Sequence, residues 1–207
     1  MITLVDYKAG NLTSVRLAFE HLGHAVRVTD DPAVIRRAER IVFPGVGAAA
    51  AAMAVLRAGG LDAALREAAG RGVPFLGICL GAQIVLDRSD EDGGVAGLGL
   101  IPGAVRAFRF DDARVKVPQI GWNGVTPLRP HPVFDGIAAG AEFYFVHSYY
   151  PDPARSADRL GETEYGGCVF ASAVARNNLV AAQFHPEKSG RIGLAFLANF
   201  AAWDGRC

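Results

Sequence analysis

Cys79 stands in Gly77-Ile78-Cys79-Leu80-Gly81, where the apolar run Val73–Cys79 passes into a helical pattern at Leu80. This G-x-C-x-G segment is the thiol form of a nucleophile elbow. Two glycines let the backbone turn sharply, and the turn pushes the thiol out at the carboxyl end of a strand, where open α/β sheets place their ligands. Backbone N–H groups and the positive end of the following helix favour a thiolate there. A buried, inert cysteine before a glycine-rich helix start would explain the same residues singly; the elbow at this topological position favours a nucleophile. Cys168, after Gly166-Gly167, and Cys207, at the end of the sequence, have no such setting.

A thiol nucleophile needs a base, and later an acid for its leaving group. Of five histidines, His21 and His24 fall at a helix end and turn, and His131 falls in a Pro-flanked loop, where surface roles suffice. His147 lies in an aromatic strand and reads equally as a core histidine or a pocket residue. His185 ends a hydrophobic strand, is followed by Pro186 and precedes Glu187 by two residues. A carboxylate on one ring nitrogen would set the tautomer and leave the other to face the thiol. Alone, His185, Glu187 and Lys188 read as well as a loop-end salt bridge; with the elbow they read as the triad Cys79–His185–Glu187.

Acyl transfer also needs donors for an oxygen that becomes negative. Pro44-Gly45-Val46-Gly47 follows a strand expected beside the elbow strand, and glycines on both sides of Val46 free its peptide to reorient, a built-in switch. A plain strand-to-helix turn explains the glycines but not their neighbourhood. The Leu80 N–H is the natural second donor. Gln83, one turn after Cys79, is placed to hold the polar end of a substrate, unless it merely faces solvent.

The elements that must position these groups follow from periodicity. Strands are predicted at Ile2–Val5, Ala25–Thr29, Ile41–Phe43 and Val73–Cys79, alternating with helices from Leu12, from Asp31-Pro32, over Ala48–Arg57 and over Leu61–Ala69. This βαβαβαβ order implies a parallel sheet covered on both faces. The second half reads as strands at Val105–Phe110, Val115–Val125, Glu142–Tyr150, Arg159–Tyr165, Val169–Ala175 and Asn178–Phe184, some pairing antiparallel. Ser189 then caps a last helix with Ile192, Phe196 and Phe200 on one face. The expected fold is a three-layer α/β sandwich with a largely parallel central sheet, residues 1–207 forming one domain.

Composition bounds the setting. With 21 basic and 21 acidic residues the chain has no electrostatic reason to seek nucleic acid or an anionic membrane. No apolar run approaches the roughly 20 residues that span a bilayer, and no signal peptide is expected. Three unpaired-looking cysteines point to a reducing, cytoplasmic compartment. Of the basic residues 18 are Arg and only Lys8, Lys116 and Lys188 are Lys. Lysines persisting against that bias are worth noting, since the two cations are not interchangeable at a shaped contact.

The elbow Gly77–Gln83 and the triplet His185-Pro186-Glu187 resemble those of the triad (class I) glutamine amidotransferases. Asp6–Asn11 (DYKAGN), Pro44–Gly47, Gly97–Gly103 (GLGLIPG), Lys116–Asn123 (KVPQIGWN), Tyr144–Tyr150 (YFVHSYY) and Gln183–Ser189 (QFHPEKS) resemble more particularly the glutaminase subunits of imidazole glycerol phosphate synthase. The resemblance runs over nearly the whole chain. It implies hydrolysis of glutamine through Cys79, with ammonia passing to a cyclase subunit, a (β/α)8 barrel, in histidine biosynthesis. No metal or organic cofactor is expected. It implies His147, Ser148 and Tyr149 on the substrate side, and Asn11, Trp122, Tyr144 and Lys188 facing the cyclase; a core aromatic is the competing reading of Trp122. Lys8, where glycine is common, Gln119-Ile120, where His-Met is frequent, and Ala82, where Met is usual, depart from the pattern without touching the triad. A glutaminase partner of pyridoxal phosphate synthase fits the particular motifs less well. A dead-site binding protein has no need of an intact Cys, His and Glu. A free-standing γ-glutamyl hydrolase would differ in needing no partner.

Overall fold

The computed structural model describes residues 1–8 and 12–206. Its strands are β1 (Ile2–Val5), β2 (Val26–Thr29), β3 (Ile41–Gly45), β4 (Phe75–Cys79), β5 (Leu86–Ser89), β6 (Val95–Ala96), β7 (Ile101–Ala107), β8 (Gln119–Pro127), β9 (Ala141–His147), β10 (Tyr149–Pro153), β11 (Arg159–Tyr165), β12 (Cys168–Arg176) and β13 (Leu179–Ala182). Its α-helices are α1 (Leu12–His21), α2 (Pro32–Arg36), α3 (Ala49–Ala58), α4 (Leu61–Gly70), α5 (Leu80–Ile84) and α6 (Gly190–Ala202).

Nine strands form the main sheet, in the order β2-β1-β3-β4-β13-β12-β11-β8-β9. The first five run parallel, β4 pairing with β3 and β13; from β13 to β9 every pairing is antiparallel. Strands β1, β3, β4 and β13 are buried on both faces, as parallel strands under helices must be. One core packs Val15, Phe19, Phe196 and Phe200 of α1 and α6 under the sheet; the other packs Met53, Leu56, Ala64 and Leu65 of α3 and α4 on the opposite face. The expected α/β class is borne out, with the parallel character confined to one half of the sheet.

Several boundaries differ for physical reasons. The predicted strand Glu142–Tyr150 is two strands broken at Ser148, β9 closing the edge of the main sheet and β10 joining a second sheet, β10-β7-β5-β6. The predicted Val105–Phe110 begins earlier and stops at Ala107; Phe108 still donates its N–H to the Ser148 carbonyl at 2.9 Å and packs its ring with Tyr150, His147 and Phe170 at 4.8, 5.2 and 5.2 Å. Strand β8 starts only after Pro118, which has no N–H to give a ladder. Ser189 occupies the cap position of α6 without capping it: its hydroxyl donates to the His185 carbonyl and accepts from the Tyr144 N–H. Phe196 and Phe200 are buried as expected, but Ile192 is exposed. His131 is not a surface residue. It is buried against Trp203, and its Nδ1 accepts from the Val133 N–H.

Candidate active site

The elbow is built by exclusion. A Cβ at Gly77 would lie 2.7 Å from the Gly81 carbonyl, and one at Gly81 would lie 2.2 Å from the Phe43 oxygen, so only glycine fits either position. Cys79 between them adopts φ 54, ψ −103, a conformation L residues rarely hold. Such strain persists where the surroundings over-determine it, and nucleophile elbows are such places. The side chain is 7% exposed. Its sulfur lies 3.9 Å from the Val146 carbonyl oxygen and receives a hydrogen bond from Gln183 Nε2 at 3.6 Å.

His185 and Glu187 meet as their spacing predicts. His185 Nδ1 lies 2.8 Å from Glu187 Oε1, and both side chains are fully buried. The short 3₁₀ turn Pro186–Lys188 after β13 folds the carboxylate back under the ring. Burial alone would lower the pKa of the imidazole, but the neighbouring Cys79 sulfur and the Glu187 carboxylate on Nδ1 outweigh it and raise it from 6.5 to about 10. Nε2 is left without a well-formed hydrogen bond to protein. It is the nitrogen available for proton traffic.

The strand end Gly45 sits opposite Cys79 in the β3–β4 register. A Cβ on Gly45 would crowd Leu80 Cβ at 2.7 Å and the Tyr7 hydroxyl at 2.8 Å, so this glycine permits close approach. Gly47 has φ +100 and open space where a Cβ would go. The Val46 N–H, however, points at the Tyr7 hydroxyl, 3.1 Å away. In this arrangement it is not turned to an oxyanion. Leu80, as the first residue of α5, has an N–H with no intrahelical acceptor.

A cleft of about 220 Å³ joins these groups, lined by Val46, Gly47, Cys79, Leu80, Gln83, Glu91, Val146, His147, Tyr149 and His185. Its size suits one small metabolite rather than a chain. Ser148 is not among its lining residues. Gln83 is buried, not solvent-facing, and its Nε2 donates to the Tyr149 carbonyl and to Gln183 Oε1, each at 3.1 Å. His147 has both ring nitrogens engaged, Nδ1 with the Tyr149 carbonyl and Nε2 with Gln119 Oε1. Burial, and the charge of His185 in part, lower its pKa to about 4, against a weaker opposing effect of the Tyr149 bond. It is a neutral wall. Among the described residues no three His, Cys, Asp or Glu side chains converge as a metal site would.

Three residues escaped the sequence reading. Gln183 touches the thiol, Glu91 lines the cleft and accepts the Ala49 N–H at the start of α3, and Tyr7 holds Val46. Gln183 left one signal, a polar residue two before His185 in an apolar strand. Tyr7 stands in the Asp6–Asn11 motif, but nothing there assigns it a role, and Glu91 left no signal, because both make their contacts across the fold.

Of the residues expected to face a partner, Asn11 lies outside the described residues. The other three form one patch. Trp122 and Tyr144 are cross-strand partners on β8 and β9, edge to face at 6.1 Å, and Lys188 Nζ sits 5.9 Å from the Tyr144 ring. Trp122 is 54% exposed, which removes the core reading. The patch is wired to the site through backbone: the Tyr144 carbonyl accepts the His185 N–H at 2.8 Å. Lys8, at φ +65, occupies a conformation glycine takes without strain, and pairs with Asp30 at 2.7 Å.

Known proteins share the fold and much of the sequence. Solved structures share the fold: a glutamine amidotransferase matches with TM-score 0.75 and 16% identity over 98% of this chain and 100% of that one, and PurLQS from Thermotoga maritima with TM-score 0.71 and 18% identity over 97% and 96%. Imidazole glycerol phosphate synthase subunit HisH of Moorella thermoacetica is 52% identical over 96% of this chain and 93% of its own length. The HisH subunit of Pseudomonas savastanoi is 49% identical over 99% and 98%. The class-I glutamine amidotransferase model matches residues 3–202, and the chain belongs to that family.

Proposed function

We infer that the chain is the glutaminase subunit of an imidazole glycerol phosphate synthase, hydrolysing glutamine to glutamate and ammonia for histidine biosynthesis. Near-full-length identity of about half to HisH subunits supports the assignment. The observation that carries the chemistry is that Cys79 and His185 line one small cleft with Val46 and Gly47, while Glu187 holds the far nitrogen of the His185 ring.

In the mechanism we propose, Cys79 passes its thiol proton to His185 Nε2 and its sulfur attacks the side-chain carbonyl carbon of glutamine. The carbonyl electrons move onto oxygen, which the Leu80 N–H and a reoriented Val46 N–H stabilise. Collapse breaks the C–N bond as His185 Nε2 gives its proton to the departing nitrogen, leaving a glutamyl thioester and ammonia. Glu187, on Nδ1, fixes the ring and stabilises its charged form. Water, deprotonated by the same Nε2, then attacks the thioester; the C–S bond breaks, glutamate leaves, and the proton on Nε2 is again shared with the Cys79 sulfur. Gln183 and Gln83 orient the thiol and the cleft wall, with His147 and Tyr149 shaping the substrate side.

The ammonia goes to a cyclase subunit with a (β/α)8 barrel, docked on the exposed Trp122–Tyr144–Lys188 patch. Residues 1–207 act as one glutamine amidotransferase unit in the cytoplasm, a setting in keeping with the free thiols Cys79 and Cys168. No helix among the described residues is long and apolar enough to cross a membrane. The test is Cys79→Ser in the complex: glutamine-dependent synthesis should vanish while ammonium-dependent synthesis continues. Glutamine turnover by Cys79→Ser would refute the nucleophile assignment.

A further inference from the structure

Tyr7 lies just past β1, 3% exposed, with its ring stacked on Phe43 at 4.9 Å and 17°. Its hydroxyl accepts the Val46 N–H at 3.1 Å and donates to the Val46 carbonyl at 3.3 Å. The N–H belongs to the Gly45–Val46 peptide and the carbonyl to the Val46–Gly47 peptide. One hydroxyl therefore ties down both planes that meet at Val46. An N–H committed to Tyr7 is not free to meet a developing oxyanion. Because the peptide is trans, the Gly45 carbonyl points opposite to that N–H, so the whole plane is held in one orientation. On the far side Gly47, at φ +100, takes a conformation open to glycine, with nothing within 4 Å of its Cβ position.

We propose that Tyr7 is the latch of the oxyanion strand: its hydroxyl withholds the Val46 N–H in the isolated subunit, and rapid turnover requires that hydrogen-bond pair to open. The proposal rests on the glutaminase reading. Tyr7 is a positioning residue, acting through Val46. The hydroxyl keeps its proton at any working pH, because burial, assisted by charge on Cys79 and opposed by the Val46 bond, pushes its pKa to about 12. Two hydrogen bonds are a restraint that docking of a partner can overcome, since each contributes only modestly net of water.

The test is Tyr7→Phe, which keeps the ring on Phe43 and removes only the hydroxyl. In the isolated chain, kcat for glutamine should rise about tenfold with KM within about twofold of wild type. The rate with liganded cyclase should stay unchanged, so the activation ratio falls by the same factor. A merely structural role would lower thermal stability without raising kcat. An isolated-chain kcat at or below the wild-type value, with Cys79-dependent turnover present in the complex, overturns the latch and leaves the glutaminase reading standing. Absence of Cys79-dependent turnover in the wild-type complex removes that reading and the latch with it. Should Tyr7→Phe fold poorly, the wild-type Val46 amide resonance decides: it must move when liganded cyclase binds, and an unmoved resonance overturns the proposal.

Discussion

The two glycine segments flanking the cleft are built for opposite purposes. Around Cys79, Gly77 and Gly81 face backbone so closely that a Cβ would lie 2.7 and 2.2 Å from it, and the strained φ of Cys79 is held between them. Across the cleft, Gly47 faces open space, and the Val46 peptides are held by one hydroxyl. The nucleophile is locked by packing, which is expensive to undo; the oxyanion donor is restrained by hydrogen bonds, which are cheap to exchange. A site arranged in this way keeps its thiol permanently aimed and leaves its timing to the other wall.

Alanine substitution at the two walls should break the symmetry between them. Gly81→Ala drives a methyl into the Phe43 carbonyl, so it should cost roughly 3 kcal/mol or more and reduce glutaminase activity at least about 100-fold. Chemical denaturation and steady-state rates of the complex read both; a variant of wild-type stability would show that the elbow is not locked by this contact. Gly47→Ala meets no neighbour and carries only the left-handed backbone penalty, about 1 kcal/mol, which for a chain of this size lowers Tm by roughly 2–4 °C. A larger loss there would mean the segment is packed after all.

Between these lies an effect of acid on the cleft wall. His147 titrates near pH 4 in the folded chain and near 6.5 when exposed, mainly because it is buried. The unfolded chain therefore takes up the proton first, and stability rises with pH across this window. The contribution is fully present above about pH 6.5 and is lost as pH falls toward 4, up to roughly 3 kcal/mol. His131, buried beside Trp203 and also lowered to about 4, chiefly by burial, acts in the same direction. Thermal midpoints that hold steady from pH 7 to 4.5 would contradict both assignments.

Much of the site and of the parallel half of the sheet is legible in the sequence, and what is not has physical reasons. Cys79, His185 and Glu187 could be read because each sits in a local motif whose geometry is fixed by its own neighbours. The parallel strands were legible because continuous burial leaves an apolar run. The break at Ser148 was not, since no glycine or proline marks the step by which one aromatic segment serves two sheets. Leu86–Ser89 hid as a strand because only its two ends are buried. Tyr7 falls in the Asp6–Asn11 motif, but its role is not legible there: its partner Val46 is 39 positions away, and the bond it makes is to backbone, which carries no side-chain signature.

The central claim is that Cys79, aimed by the elbow, takes the glutamyl group. Acid-quenching the complex during glutamine turnover and digesting it for mass spectrometry tests this directly. The account predicts one glutamyl adduct, labile to thiols and confined to the peptide bearing Cys79. Turnover without such an adduct, or with the adduct on another residue, would contradict it.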